Sequence, residues 1–241
     1  MAPSPDPDTT NTSSSLAVDG LAPVLWLPYV APFATFLLLT AVESRFSRSQ
    51  YPFVYIARMV LVTGVLLFFA RQWRSEIYGD GKSIAIGVAV GLLGLVLWLG
   101  VDAITPSLPQ IFGTRTAFNP FVEIPNVGIR ILFLLVRLFG LAVIVPIIEE
   151  VFWRSFLLRA VTDPERWQTL SIGVFSPIAF LVVAALFGIA HPEYLAGTVF
   201  AILMAGLLRS TKSLLSCIVA HGITNLTLGI YVLVSGNWKY W

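Results

Sequence analysis

The stretch Val127-Gly-Ile-Arg-Ile-Leu-Phe-Leu-Leu-Val-Arg-Leu-Phe-Gly-Leu-Ala-Val-Ile-Val-Pro-Ile-Ile148 is almost wholly apolar and ends abruptly in Glu149-Glu150-Val-Phe-Trp-Arg154. A hydrocarbon core of about 30 Å is crossed by about 20 helical residues rising 1.5 Å each. This run meets that length. Working outward, six further stretches read the same way: about Leu21–Val42, Tyr51–Ala70, Ser83–Ile104, Ser171–Ala190, Tyr194–Leu208 and Leu214–Val234. The last but one is short, so it is tilted, partly buried by its neighbours, or joined to the preceding stretch around Pro192. The expected fold is all-α, a polytopic transmembrane helix bundle of about seven spans, within a range of six to eight.

Whole-chain composition agrees. The 241 residues are 57% hydrophobic and only 12% charged, with a mean hydropathy of +0.84. A soluble domain carries about 25% charged residues. Disorder, a secreted disulfide scaffold and an ordinary cytosolic enzyme are thereby excluded. The single cysteine, Cys217, cannot form an internal bridge, and no CxxC or Cys/His cluster suggests a zinc finger. A formal charge of +2, dispersed along the chain, gives no footprint for nucleic acid.

Residues 1–20 are rich in Pro, Ser, Thr and Asp and contain no Lys or Arg, the composition of a disordered tail. Without a basic n-region ahead of it, the first apolar stretch reads as an uncleaved transmembrane helix. Residues 21–125 form an N-terminal set of transmembrane helices, and residues 126–241 hold the chemistry-bearing motifs. Arg45 and Arg48 place the N-terminus outside, whereas Arg71, Arg74 and Lys82 place it inside, so orientation stays open. Gly79-Asp80-Gly81 reads as a turn between spans.

Ionisable groups inside membrane helices are costly, and each is a functional candidate. Snorkelling accounts for Arg58, and Asp102 and Arg130 lie near span ends. Arg137 lies deeper and is expected to have a structural partner within the bundle. Glu149, Glu150 and Arg154 form a tighter group. Glu150 and Arg154 have the i,i+4 spacing of a same-face ion pair, and Glu149 is turned about 100° away. Arg154 can therefore neutralise one carboxylate and leave the other for chemistry. The only two histidines both lie in apolar context. His191 ends Phe187-Gly-Ile-Ala-His191 and precedes Pro192, which disfavours continuing the helix. His221 and Asn225 share a helix face at i,i+4. Cys217 lies one turn before His221, but as a small apolar residue it reads as packing rather than as a thiol–imidazole dyad.

These groups include no obvious nucleophile, and neither GxSxG nor HExxH occurs. What they can do is activate water. A glutamate assisted by an imidazole supplies a general base, and a second imidazole with an amide can donate to a developing oxyanion. The reaction class is hydrolysis of an amide in a partly hydrated cavity within the membrane.

The three motifs Glu149-Glu150-x-x-x-Arg154, Phe187-x-x-x-His191 and His221-x-x-x-Asn225, in that order, resemble those of the CPBP (Abi) family of membrane peptidases, which includes the type II CAAX prenyl endopeptidase. The resemblance covers roughly Leu141 to Leu228, which makes 126–241 a CPBP-like catalytic core. The wording Pro146-Ile-Ile-Glu-Glu-Val-Phe-Trp-Arg-Ser-Phe-Leu-Leu-Arg159 is most similar to the bacterial CAAX prenyl protease-related branch, associated with exosortase and exopolysaccharide systems. The resemblance implies that Glu149 and His191 activate water, that His221 and Asn225 form the oxyanion hole, and that Glu150 and Arg154 pair to position the site. It also implies a membrane-associated protein or peptide substrate, a place in the bacterial inner membrane, components of the exosortase or exopolysaccharide system as partners, and no cofactor. Eukaryotic members act on prenylated proteins, a substrate bacteria generally lack, so the CAAX label itself is not carried over. Three alternatives stay open: zinc held by Glu149, Glu150, His191 and His221; a non-catalytic scaffold or immunity protein that binds a peptide in the same pocket; and a proton-coupled transporter.

Overall fold

A computed structural model describes residues 25–105 and 117–241. The tail expected at 1–20, and the start of the first apolar stretch, lie outside the described residues. Among the described residues seven apolar helices build the bundle: α1 (Leu27–Glu43), α2 (Tyr51–Trp73), α3 (Gly81–Ile104), α4 (Val127–Thr162), α5 (Pro177–Ile189), α6 (Tyr194–Thr211) and α7 (Leu214–Ser235). No strand occurs among the described residues. By length and composition five of them can cross a membrane, namely α2, α3, α4, α6 and α7, while α1 and α5 are shorter at 17 and 13 residues. The chain is an integral membrane protein of the all-α polytopic class.

Local chemistry sets the ends. Prolines lie in the first turns of α1, α2 and α5, where a missing N–H costs nothing. Side chains of Asp80, Asn126, Ser176 and Ser213 accept from the first free N–H groups of α3, α4, α5 and α7. Asp80 thus starts a helix from within the expected turn. The break foreseen at Pro192 separates α5 from α6.

Two boundaries differ from the sequence reading, and one residue differs in role. The fourth stretch does not stop at Ile148 but runs on through the glutamates to Thr162 as one 36-residue helix, because its charges are matched inside the protein. The fifth starts at Pro177 rather than Ser171; Gly173 there adopts a φ of +77°, and Ser176 caps the helix. Arg58 does not snorkel. It is buried, pairs with Glu43 at 3.2 Å, donates to Thr40 at 2.7 Å and lies over the rings of Phe36 and Tyr55. Arg137, as expected, has an internal partner: it donates to Tyr51 Oη at 2.7 Å.

Packing centres on α3 and α7. Gly87, Gly91 and Gly94 line the seam, and a Cβ on Gly91 would come within 2.5 Å of the Ala220 carbonyl oxygen. Thr224 Oγ1 donates across the seam to the Gly91 carbonyl at 2.7 Å. Lipid tails are as apolar as leucine, so membrane helices associate through such close backbone contact and hydrogen bonds rather than through hydrophobicity. Outward faces carry bare apolar side chains, among them Leu38, Leu67, Phe68 and Val96, as a lipid-facing surface requires. At one end Arg48 pairs with Glu123, whose carboxyl is held below the usual range chiefly by that hydrogen bond. At the same end Lys239 and Tyr240 donate to Asp102 at 2.6 and 2.5 Å.

Substituting Gly91→Leu drives a branched side chain into Ala220 and Ile223 and should cost about 1–3 kcal/mol or more. Gly100→Ala, which meets nothing within 4 Å, should be neutral or stabilise by about 0.5–1 kcal/mol. Thermal unfolding in detergent measures both, and a Gly91→Leu protein as stable as wild type would refute the close seam.

Candidate active site

Helix α4 is not a regular α-helix around the glutamates. Gly140–Ile144 and Val151–Leu157 are π-helical, and a single α-helical segment, Val145–Glu150, lies between them. In the first the Val145 N–H donates to Gly140, and after the second the Leu158 N–H donates to Trp153, each five residues back. Widened turns of this kind re-aim side chains and occur mostly at functional sites. Here they flank the two carboxylates.

Arg154 Nη1 donates to Glu150 Oε1 at 3.1 Å, the i,i+4 pair read from the sequence. The same oxygen receives His221 Nδ1 from α7 at 2.8 Å. Glu150 and Arg154 are fully enclosed and His221 is 3% exposed. A carboxylate paired with arginine can only accept, so Nδ1 of His221 carries its hydrogen and the ring presents Nε2 to the site. For Nε2 also to donate, the ring must be an imidazolium.

His191 is held in the same sense. Its Nδ1 lies 2.7 Å from the Phe187 carbonyl oxygen, which can only accept, so Nε2 is again the nitrogen left for other partners. Its ring stacks on Phe187 at 4.4 Å and 23°, and Trp98 meets its edge at 5.7 Å. Phe187 also carries the Arg154 guanidinium at 4.6 Å from its centroid. The second motif therefore joins the first through an aromatic ring between a cation and an imidazole, a stabilising contact where water is excluded.

Glu149 is buried, and its Oε2 accepts no hydrogen bond among the described residues. Glu150 Oε2 likewise accepts none, but Glu150 is held through Oε1 by Arg154 and His221, and the two carboxylates differ in those charged partners. Asn225 Nδ2 donates to the Leu141 carbonyl at 3.0 Å, which occupies one of its two amide hydrogens. The structure thus links Glu150, Arg154, His221, Phe187 and His191, and ties Asn225 to the turn preceding the glutamates. Cys217 donates to the Met204 carbonyl at 3.7 Å and is enclosed in the core, a packing position. Among the described residues, no group of three or more His, Cys, Asp or Glu side chains is arranged to hold a metal ion.

A second buried polar hub follows one turn later, and the sequence reading did not single it out. Arg159 Nη2 reaches both Glu76 oxygens at 2.9 Å, while Ser155 Oγ and Tyr29 Oη also donate to Glu76. This locks α1, the 3₁₀ turn Arg74–Glu76 that follows α2, and α4 together below the Glu150–Arg154 pair. Arg159 in an apolar run was a visible signal, but Glu76 lies 83 positions away in sequence.

Arg154→Ala would deprive the enclosed Glu150 of its guanidinium partner, a loss of about 3–5 kcal/mol for a broken buried pair. The expected result is a sharp fall in folded, detergent-extractable protein, with Arg154→Lys retaining part of it. Wild-type Tm in Arg154→Ala would overturn the assignment of this pair as the structural anchor of the site.

Residues 131–227 match the family described as type II CAAX prenyl endopeptidase, Rce1-like. No curated protein and no solved structure matches the chain. The matched span contains Glu149, Glu150, Arg154, His191, His221 and Asn225, and it supports placing this part of the chain in the CPBP family.

Proposed function

We propose that the chain is an intramembrane endopeptidase of the bacterial inner membrane that hydrolyses a peptide bond of a membrane-associated protein or peptide. The observation that carries this reading is Glu149: a buried carboxylate with an oxygen that accepts no hydrogen bond among the described residues, next to Glu150, whose Oε1 is held by both arginine and histidine.

In this mechanism Glu149, assisted by His191 through Nε2, takes a proton from water as the oxygen attacks the scissile carbonyl carbon. The carbonyl π electrons move to oxygen, giving a tetrahedral oxyanion. His221 Nε2–H and the second amide hydrogen of Asn225 donate to it. Glu149 then returns the proton to the leaving nitrogen as the C–N bond breaks. Glu150 and Arg154 do not touch substrate. Glu150 places a negative charge beside the imidazolium that an oxyanion donor requires, and Arg154 anchors Glu150. None of these steps calls for a cofactor. The wording from Pro146 to Arg159 supports the branch associated with exosortase and exopolysaccharide systems, and hence a substrate or partner from such a system.

The test is release of peptide from a panel of membrane-embedded reporters, either signal-anchored or C-terminally lipidated. Glu149→Gln should abolish turnover without changing Tm, and His221→Ala should lower it by about 10²–10³. Wild-type release should be indifferent to chelator. Normal turnover by Glu149→Gln would sink the mechanism. Loss on chelation that zinc restores would replace it with a metal-dependent one.

A further inference from the structure

Within the first π-helical segment the Val145 N–H donates five residues back, to Gly140. Carried one residue further, that register would bring the donor of position 146 to the carbonyl of Leu141. Position 146 is a proline and has no N–H, so no donor from that position can reach Leu141. An unpaired carbonyl in a membrane-spanning helix is costly wherever lipid rather than water adjoins it. Here the missing donor comes from another helix: Asn225 Nδ2, on α7, at 3.0 Å. Three residues earlier on α7, Gly222 lies against the neighbouring Ala142 carbonyl, whose oxygen would be 2.5 Å from any Cβ placed there. One face of α7 thus meets two consecutive carbonyls of α4, and the residue before Gly222 is the histidine that holds Glu150.

We propose that Pro146 and Asn225 are a positioning pair: the proline withholds a backbone donor from Leu141, the asparagine replaces it across the bundle, and the resulting clamp fixes the register in which Glu149 and Glu150 face α7. The role in catalysis rests on the peptidase reading above, whereas the clamp itself does not. A helix with alanine in place of Pro146 would satisfy Leu141 internally and leave α7 without its reason to dock there. The cis-acting cost of the proline is converted into a trans-acting fix on the site.

The test is a double-mutant cycle on the full chain in detergent: wild type, Pro146→Ala, Asn225→Ala and the double variant. Thermal unfolding is followed through the seven tryptophans. Asn225→Ala should lower Tm by about 2–4 °C or more in the wild-type background and have no effect in the Pro146→Ala background, where the backbone N–H restored at that position serves Leu141. If Asn225→Ala yields folded protein only alongside Pro146→Ala, that is the extreme form of the same rescue. Pro146→Ala should be at least as stable as wild type, yet its kcat on the membrane-anchored reporter should fall about 10²-fold with KM unchanged, the signature of misplaced catalytic groups rather than of lost folding. An equal Tm loss in both backgrounds, or failure to fold in both, overturns the clamp. Rescue of Tm with full kcat in Pro146→Ala overturns its catalytic role. A wild type inactive on every reporter counts against the peptidase reading, and the Tm cycle then decides the clamp by itself.

Discussion

Placing a carboxylate and a guanidinium in the interior of a membrane bundle costs several kcal/mol per ion, and only close pairing with further hydrogen bonds offsets it. Glu150 and Arg154 meet that condition jointly with two other helices. α7 must approach closely enough for His221 to reach Glu150 Oε1, and α5 must lay Phe187 under the guanidinium. The first demand is met by the glycine-lined seam with α3, since a bulky residue at Gly87 or Gly91 would push α7 off its backbone contacts. The extension of α4 past Ile148 follows from the same pairing. Charges that would end an isolated apolar helix at the membrane surface are instead interior groups with partners.

The π-helical segments on either side of Val145–Glu150 explain why adjacent glutamates can have different fates. A straight helix sets neighbouring side chains about 100° apart and fixes them by the helix axis alone. Inserting a residue before and after the pair allows that direction to be adjusted independently of the flanking membrane-spanning turns. The outcome is one carboxylate held through Oε1 by arginine and histidine and a neighbour that shares neither of those hydrogen bonds. Within a low dielectric that asymmetry is what separates an anchor from a base.

Much of this was legible in the sequence, and what was not follows a pattern. Apolar run lengths located seven helices because bilayer thickness constrains them directly. The i,i+4 spacing identified the Glu150–Arg154 pair because it is local. Pro192 marked the break beside His191 for the same reason. What escaped was set by partners distant in sequence. Arg58 read as a snorkelling residue because nothing near it in the chain is acidic, yet Glu43 meets it from α1. The Glu76–Ser155–Arg159 hub and the link between His221 and Glu150 likewise depend on which helices adjoin. Glycines in α3 could have been read as a packing stripe at spacing of about one turn, but hydropathy alone weighs them as ordinary apolar positions. The Asn225–Leu141 bond could not be foreseen at all without the π register ahead of Pro146.

Helix α5 is too short for a conventional crossing. Its 13 residues rise about 20 Å, roughly 10 Å less than the full hydrocarbon thickness. The chain turns at Ala190–Glu193, where the Ala190 and His191 amides still donate back into α5 and the Glu193 carbonyl accepts from Gly197 of α6. Lipid tolerates irregular backbone only where protein encloses it or water reaches it. A truncated helix is thus a way to leave a polar side chain half-exposed at the end of an apolar run, as His191 is here. One more turn on α5 would carry helix past His191 and through Pro192, which has no N–H to give it, and would remove the break at which His191 is half-exposed.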